Sequence, residues 1–334
     1  MVINKLLIGM LSGIAFMLCA PAQAAEDGSA GAAAAYAAKG AVTCLKCHDE
    51  GHVADVLQTP HAMKGDSRTP FAQHGCESCH GASPEHVTSA GKVKPGEKPI
   101  KPAVMFSGPA ATPVKERNEV CLACHENTTR INWQGSKHDR ENVACNSCHT
   151  VHVKKDNVLV KATQPETCFS CHAQQRAESF QYSHHPMREG KVVCSDCHNP
   201  HGAVGNTKLL KEFTINETCY LCHTEKRGPL LWEHQPVREN CMNCHAPHGS
   251  SQARLLTERL PYLCSTCHSG TSNSSSGFFG GHQSLPGGAA SAGQTNAWQL
   301  AKGIMNNELN YRGCLNCHTQ VHGSNSPTGT AFLR

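Results

Sequence analysis

Ten CxxC pairs each followed directly by histidine, a shortage of aromatic residues and a repeat of near-constant length predict one fold class. It is a multihaem chain with little regular secondary structure, its short helices and loops wrapped around an elongated stack of ten haems. The pairs are Cys44/Cys47, Cys76/Cys79, Cys121/Cys124, Cys145/Cys148, Cys168/Cys171, Cys194/Cys197, Cys219/Cys222, Cys241/Cys244, Cys264/Cys267 and Cys314/Cys317. The histidines that follow them are His48, His80, His125, His149, His172, His198, His223, His245, His268 and His318. In this attachment motif the thiols add to the two haem vinyl groups and the imidazole takes one axial position on iron. The spacing has a geometric cause. Residues i, i+3 and i+4 share one face of a helical turn, so both sulfurs and the ring meet one macrocycle.

Disulfides and zinc are the competing uses of such cysteines. Neither demands histidine after every pair, and 23 histidines in 334 residues do not supply ten such coincidences by chance. The remaining cysteine, Cys19, lies in a leader behind Phe16, Met17 and Leu18, which do not suit a lipid acceptor. In that leader Lys5 forms a positive start, residues 6 to 20 an apolar stretch, and Ala22-Gln23-Ala24 a small-residue cleavage site. Residues 1–24 therefore read as a secretory signal peptide, which places the mature chain in the periplasm or beyond. No later stretch approaches the ~20 apolar residues of a spanning helix, so no self-anchoring in the membrane is expected.

The 17 aromatic residues, 29 glycines and 18 prolines are poor material for a core. The haems themselves must serve as one, as metals and disulfides do in small domains. Each ferric haem with two histidines and two ionised propionates adds about one negative charge to the chain's formal +4, so the loaded protein is acidic and no nucleic acid partner is expected.

The first motifs of successive units from Cys121 onward begin at residues 121, 168, 219 and 264, which are 47, 51 and 45 residues apart. After a 25–43 N-terminal tail, the 44–323 decahaem domain divides into five two-haem repeats, about 44–92, 118–160, 165–210, 216–256 and 264–323, with a 324–334 C-terminal tail. Asn118-Glu119 and Asn216-Glu217 read as helix N-termini. Two segments interrupt the repeat. Residues 93–116 are rich in lysine and proline and residues 269–303 in glycine and serine, and loops of that length are functional or disordered.

Thirteen histidines lie outside the motifs. Repeat register selects a linker set, His61, His138, His184 or His185, His234 and His282, and a trailing set, His86, His152, His201, His248 and His322. These are ten further axial ligands for ten irons, leaving His52, His74 and one of His184/His185 over. The proline register of His184-His185-Pro186 against His234-Gln235-Pro236 favours His184, whereas the Ser-x-His pattern of Ser136-Lys137-His138 favours His185. A histidine three residues past a motif cannot easily reach the far face of the same haem, so His152, His201 and His248 are expected to serve neighbouring ones. With both axial positions filled, no iron is open to substrate. Five methionines after the leader are too few to be the general sixth ligand, and no CxxCK motif occurs. The chain thus reads as an electron conductor with no catalytic residue. Arg140, Arg188, Arg238 and Arg312 precede second motifs and are candidates to pair with propionates.

The ten CxxCH motifs, the cleavable leader and the CHxPHG and HxPxRE signatures at Cys197–Gly202, Cys244–Gly249 and His234–Glu239 resemble the MtrA family of decahaem periplasmic cytochromes. The resemblance runs from Cys44 to His322. It implies ten covalently bound haem c groups, an outer-membrane β-barrel porin of the MtrB type around the cytochrome, and periplasmic electron-donor cytochromes. It also implies a cell-surface multihaem cytochrome of the MtrC type as acceptor, for extracellular metal-oxide respiration. The related DmsE proteins serve an outer-surface dimethyl sulfoxide reductase, and a soluble periplasmic electron shuttle is the remaining alternative. Ten macrocycles of roughly 10 Å would extend on the order of 100 Å, several times the ~30 Å hydrocarbon core of a bilayer. By resemblance the haem at Cys314 lies at the surface end and the haem at Cys44 in the periplasm.

Overall fold

The computed structural model describes residues 35–205, 208–267, 314–316, 318–327 and 329–332. The leader with Cys19, the residues His268, His282, Arg312 and Cys317, and the 269–303 stretch lie outside the described residues. Within them the backbone forms short α- and 3-10 helices and four isolated bridges, with no strand. The helices that carry the first motifs are α1 (Ala41–Cys44), α2 (Val114–His125), α3 (Gln164–Phe169), α4 (Ile215–Tyr220) and α5 (Tyr262–Ser265). Only α2 reaches twelve residues.

Eight of the described motifs close the helical turn their spacing demands through the same bond. The histidine N–H donates to the carbonyl of the first cysteine in the motifs ending at His48, His80, His149, His172, His198, His223, His245 and His318, at 2.9–3.1 Å. The expected asparagine caps are not caps. Asn118 lies inside α2 and buried; its amide donates to the Val143 carbonyl at 3.1 Å and its Oδ1 accepts from the Cys145 N–H at 2.8 Å. Asn216 does the same between α4 and Cys241, and the N-cap of α4 is Thr214, whose hydroxyl accepts from Glu217 N–H at 3.1 Å. A side chain with both an acceptor and two donors can clasp a neighbouring turn. That clasp holds the two motifs of a unit together.

Backbone also joins stretches far apart in sequence. Ser183 and Ser250 exchange both hydrogen bonds at 2.9 and 2.8 Å, and Trp232 and Ser324 do the same at 2.9 Å. Few apolar side chains are buried: Ala41, Val56, Trp133, Ala144, Phe169, Met187, Val193 and Leu263 are the described ones. Such a scattered set does not make a continuous core for a chain of this length.

The 93–116 interruption is a fastened strap that runs into α2. Ala103 N–H and Ile100 N–H donate to the hydroxyls of Ser83 and Ser89 at 3.1 and 3.0 Å, and Val104 N–H donates to the His80 carbonyl at 2.9 Å. Farther on, the Phe106 carbonyl accepts from Arg117 and Asn146 at 2.6 and 2.9 Å.

Candidate functional site

Eight imidazole pairs face one another across a constant gap. Ring centroids lie 6.2 Å apart for His48/His86, 6.0 Å for His61/His125, 6.2 Å for His80/His152 and 6.2 Å for His138/His172. The distances are 6.0 Å for His149/His201, 6.4 Å for His185/His223, 6.1 Å for His198/His248 and 6.2 Å for His245/His322. These rings are too far apart to touch. A metal–imidazole nitrogen bond is about 2.0 Å and the nitrogen lies about 1 Å from its ring centre, so two axial imidazoles on one metal sit roughly 6 Å apart. The residues therefore fit the group that their motifs call for.

Every pair joins one motif histidine to one from outside the motifs, and the partner comes from an adjacent unit in all cases but His48/His86. The structure sets His185 across from His223, whereas His184, favoured by the proline register, turns Nδ1 to the Gln181 carbonyl at 2.8 Å. His74 stacks on Tyr36 at 3.7 Å, outside the paired set.

The rings are aimed by hydrogen bonds at Nδ1, which leaves Nε2 for a metal. Nδ1 of His80, His86, His198 and His245 meets the carbonyls of Val104 (3.0 Å), Ile100 (2.6 Å), Lys208 (2.8 Å) and Arg254 (3.0 Å). The strap thus supplies two of these four anchors. His138, His185 and His234 are held by the carbonyls of Pro200, Pro247 and Val321, each the residue before a trailing histidine. His149 is held instead by Asp156 Oδ2 at 2.7 Å. Burial favours the neutral form of five rings: it is the leading cause that takes His201 down to about 4, with His149 adding to it, and it also lowers His125, His152, His198 and His322.

The cysteines order the motifs along the chain. Within units, Cys121 is hydrogen-bonded to Cys145, Cys168 to Cys194 and Cys219 to Cys241, and these bonds hold Cys194 and Cys241 at about 7. Between units, burial raises Cys79, Cys148, Cys197 and Cys244, and the neighbouring thiols of Cys124, Cys171, Cys219 and Cys267 add to the rise. Each motif therefore neighbours the next in sequence order.

The two cysteines of a motif differ in how far the chain covers them. The first cysteines, from Cys44 to Cys314, are all half-buried, but Cys47, Cys124, Cys148, Cys171, Cys197, Cys222 and Cys267 are exposed to solvent. Among the described second cysteines only Cys79 and Cys244 are half-buried. Helix membership does not explain the difference, since Cys47, Cys171, Cys222 and Cys267 follow the last helical residue but the equally exposed Cys124, Cys148 and Cys197 lie within helices. Polypeptide packing thus encloses the first sulfur of the motif and leaves Cys47 and Cys222 on the outer side of the turn, so their assignment to haem attachment stands on motif chemistry and not on enclosure by the chain.

Polar groups also fit a carboxylate-bearing cofactor, since Arg117 Nε, Trp133 Nε1 and Trp232 Nε1 are buried without a hydrogen-bond partner. Of the arginines singled out from sequence, Arg238 pairs with Glu233 at 3.2 Å and Arg188 lies over the Phe180 ring at 4.3 Å.

Short helical turns bearing CxxCH, scattered apolar burial and imidazoles opposed at metal-bridging distance define a multihaem c-type cytochrome, which binds haem c covalently and transfers electrons. A family defined by a doubled CXXCH motif matches residues 184–228 and 234–273, and one of cytochrome c-type proteins resembling NrfB matches residues 76–163. The multiheme cytochrome MtrA of Shewanella baltica is 42% identical over 300 residues, covering 90% of this chain and 83% of the relative. Cytochrome c-type proteins NrfB of Escherichia coli and Haemophilus influenzae are 29% and 36% identical over 40% and 30% of this chain, and 65% and 45% of their own length. The chain belongs to the MtrA family of multihaem cytochromes.

Proposed function

We propose that the chain binds ten haems, each with two histidine ligands, and carries electrons from periplasmic donors across the outer membrane to a cell-surface multihaem cytochrome. On this reading it does so inside a β-barrel porin, in support of extracellular respiration. The observation that supports the reading is the set of eight imidazole pairs among the described residues, in which each motif histidine from His48 to His245 faces one histidine from outside the motifs. The same register gives His234 to His268 and His282 to His318. Bound haem supplies one-electron iron chemistry; the protein aims both axial imidazoles and holds consecutive motifs side by side. With both positions taken, no iron is left for substrate, so the chain conducts and does not catalyse. The five two-haem units are the structural period of that conductor.

The family likeness supports the conduit, and no helix among the described residues is long and apolar enough to cross a membrane. A polar cytochrome that spans a bilayer needs a sheath, and a wide barrel with a polar lumen provides one. Detergent extraction followed by affinity purification of the tagged cytochrome tests this. Recovery of an outer-membrane barrel and a surface cytochrome at fixed stoichiometry is expected, whereas a cytochrome recovered free from the periplasmic fraction would make it a shuttle. Carbon monoxide binding by the native reduced protein would reveal an open iron and overturn the bis-histidine assignment.

A further inference from the structure

Four second-motif histidines are described with their Nδ1 partners, and one partner differs in kind. His80, His198 and His245 are held by main-chain carbonyls, at 3.0, 2.8 and 3.0 Å. His149 is held by the Asp156 carboxylate at 2.7 Å. We infer that Asp156 is a tuning residue that sets the iron ligated by His149 and His201 at a lower reduction potential than its counterparts at His80, His198 and His245.

A carbonyl accepts the Nδ1–H as a neutral dipole, but a carboxylate accepts it as a full charge and draws the proton toward itself. The ring becomes a stronger donor to the metal, as carboxylate partners of metal-bound histidines do. It then stabilises ferric over ferrous iron. The Coulomb effect has the same sign, because a negative charge near the site disfavours the added electron, and the Asp156 side chain is only 13% exposed, so solvent screens it little. Among the described residues its ion-pair partner is His149 alone. The couple is one ferric iron taking one electron to become ferrous, with the Nδ1 proton staying inside the His149–Asp156 hydrogen bond in both states.

Asp156 is itself fixed. Its Oδ1 accepts from the N–H groups of Thr150 at 3.2 Å and Val158 at 3.4 Å, which caps the short helix Asn157–Leu159. Two other carboxylates approach paired rings less closely: Glu178 stands 3.3 Å from Nδ1 of His248 and Glu225 3.8 Å from Nδ1 of His223. Charge-assisted bonds of this kind are strong at about 2.7–2.9 Å, a range that only the Asp156 contact meets among these three. An electron moving along the motifs in order would meet the least reducible of these four second-motif sites at the fourth position.

The inference rests on the axial assignment above, and the test separates the two. Asp156→Asn in the fully loaded protein replaces the charge with a neutral acceptor, and Asp156→Ser removes the charge while keeping a helix-capping oxygen. Potentiometric titration followed by absorbance and low-temperature electron paramagnetic resonance should show one midpoint shifted upward, with haem content and the low-spin state unchanged. Loaded, low-spin variants with an unaltered set of midpoints overturn the inference. So does a new high-spin iron in both variants, because Asp156 would then be holding the ligand in place instead of tuning it. A failure of the axial assignment appears elsewhere, as a His201 variant that stays entirely low-spin.

Discussion

The Pro200 carbonyl accepts a hydrogen bond from Nδ1 of His138 at 2.8 Å, and Pro247 does the same for His185 at 2.7 Å; both contacts span 62 residues. The proline of the CHxPHG signature therefore steadies a ring belonging to the preceding unit, while the histidine beside it faces a different one. One three-residue stretch, Pro-His-Gly, serves two haem sites and the seam between units.

Replacing His201 or His248 by alanine should leave every haem attached, because attachment uses only the CxxCH motif, yet open the iron at His149 or His198. Electron paramagnetic resonance of the oxidised variant is expected to show one high-spin ferric signal. A spectrum that remains wholly low-spin would falsify the pairing at that position.

His184 and His185 make a matched pair of tests. His185→Gln should produce a high-spin iron at the His223 site, whereas His184→Gln should leave all irons low-spin, since the His184 ring is engaged with the Gln181 carbonyl. The reverse outcome would restore the assignment that the proline register favours.

Gly249 approaches its neighbour unit so closely that a Cβ there would overlap the Glu178 carbonyl, and a Cβ at Gly202, which has φ +116°, would overlap the Asn132 carbonyl. A backbone atom cannot swing aside as a side-chain tip can. Gly249→Ala or Gly202→Ala should therefore cost about 1–3 kcal/mol or more, with the larger loss at Gly202 where the backbone is strained as well. Thermal unfolding followed by circular dichroism in the Soret band measures this, and an unchanged midpoint in both variants would contradict the close seam.

Chain produced without haem attachment should not give a compact species, since the described apolar side chains that are buried are few and separated. Limited proteolysis and size-exclusion chromatography of the apo-chain decide it: a protease-resistant, compact product would mean that the polypeptide holds itself together.

The motif turns were legible because i, i+3 and i+4 chemistry is local, and eight of those described form with the bond their spacing requires. The step after the motif is too short for His152, His201 and His248 to reach the far face of their own haem, and each of these rings faces a motif histidine from an earlier stretch of chain. What depends on three-dimensional closure was not legible. Asn118 and Asn216 look like caps in a string of letters, and only the fold brings Cys145 and Cys241 within reach of their amides. The unequal exposure of Cys44 and Cys47, or of Cys219 and Cys222, is equally hidden, because it depends on which side of the turn the rest of the chain packs against. The choice between His184 and His185 turns on a carbonyl 62 residues away from the chosen ring. The 93–116 segment reads as an interruption because its anchors are main-chain atoms, which leave no mark on residue identity.

The direction of the pairings has a consequence for chain length. Among the described residues the 118–160 and 165–210 units each offer one ring forward, as His138 does to His172 and His185 to His223, and one ring backward, as His152 does to His80 and His201 to His149, while His86 turns back to His48 in its own unit. In the language of linear polymers, an interior unit is a bifunctional monomer with complementary ends, and the 44–92 unit is an end group whose backward valence is satisfied internally. Whole units can then be spliced in or out with every valence still met. A cut on either side of these two units leaves one unsatisfied site on each side of the break.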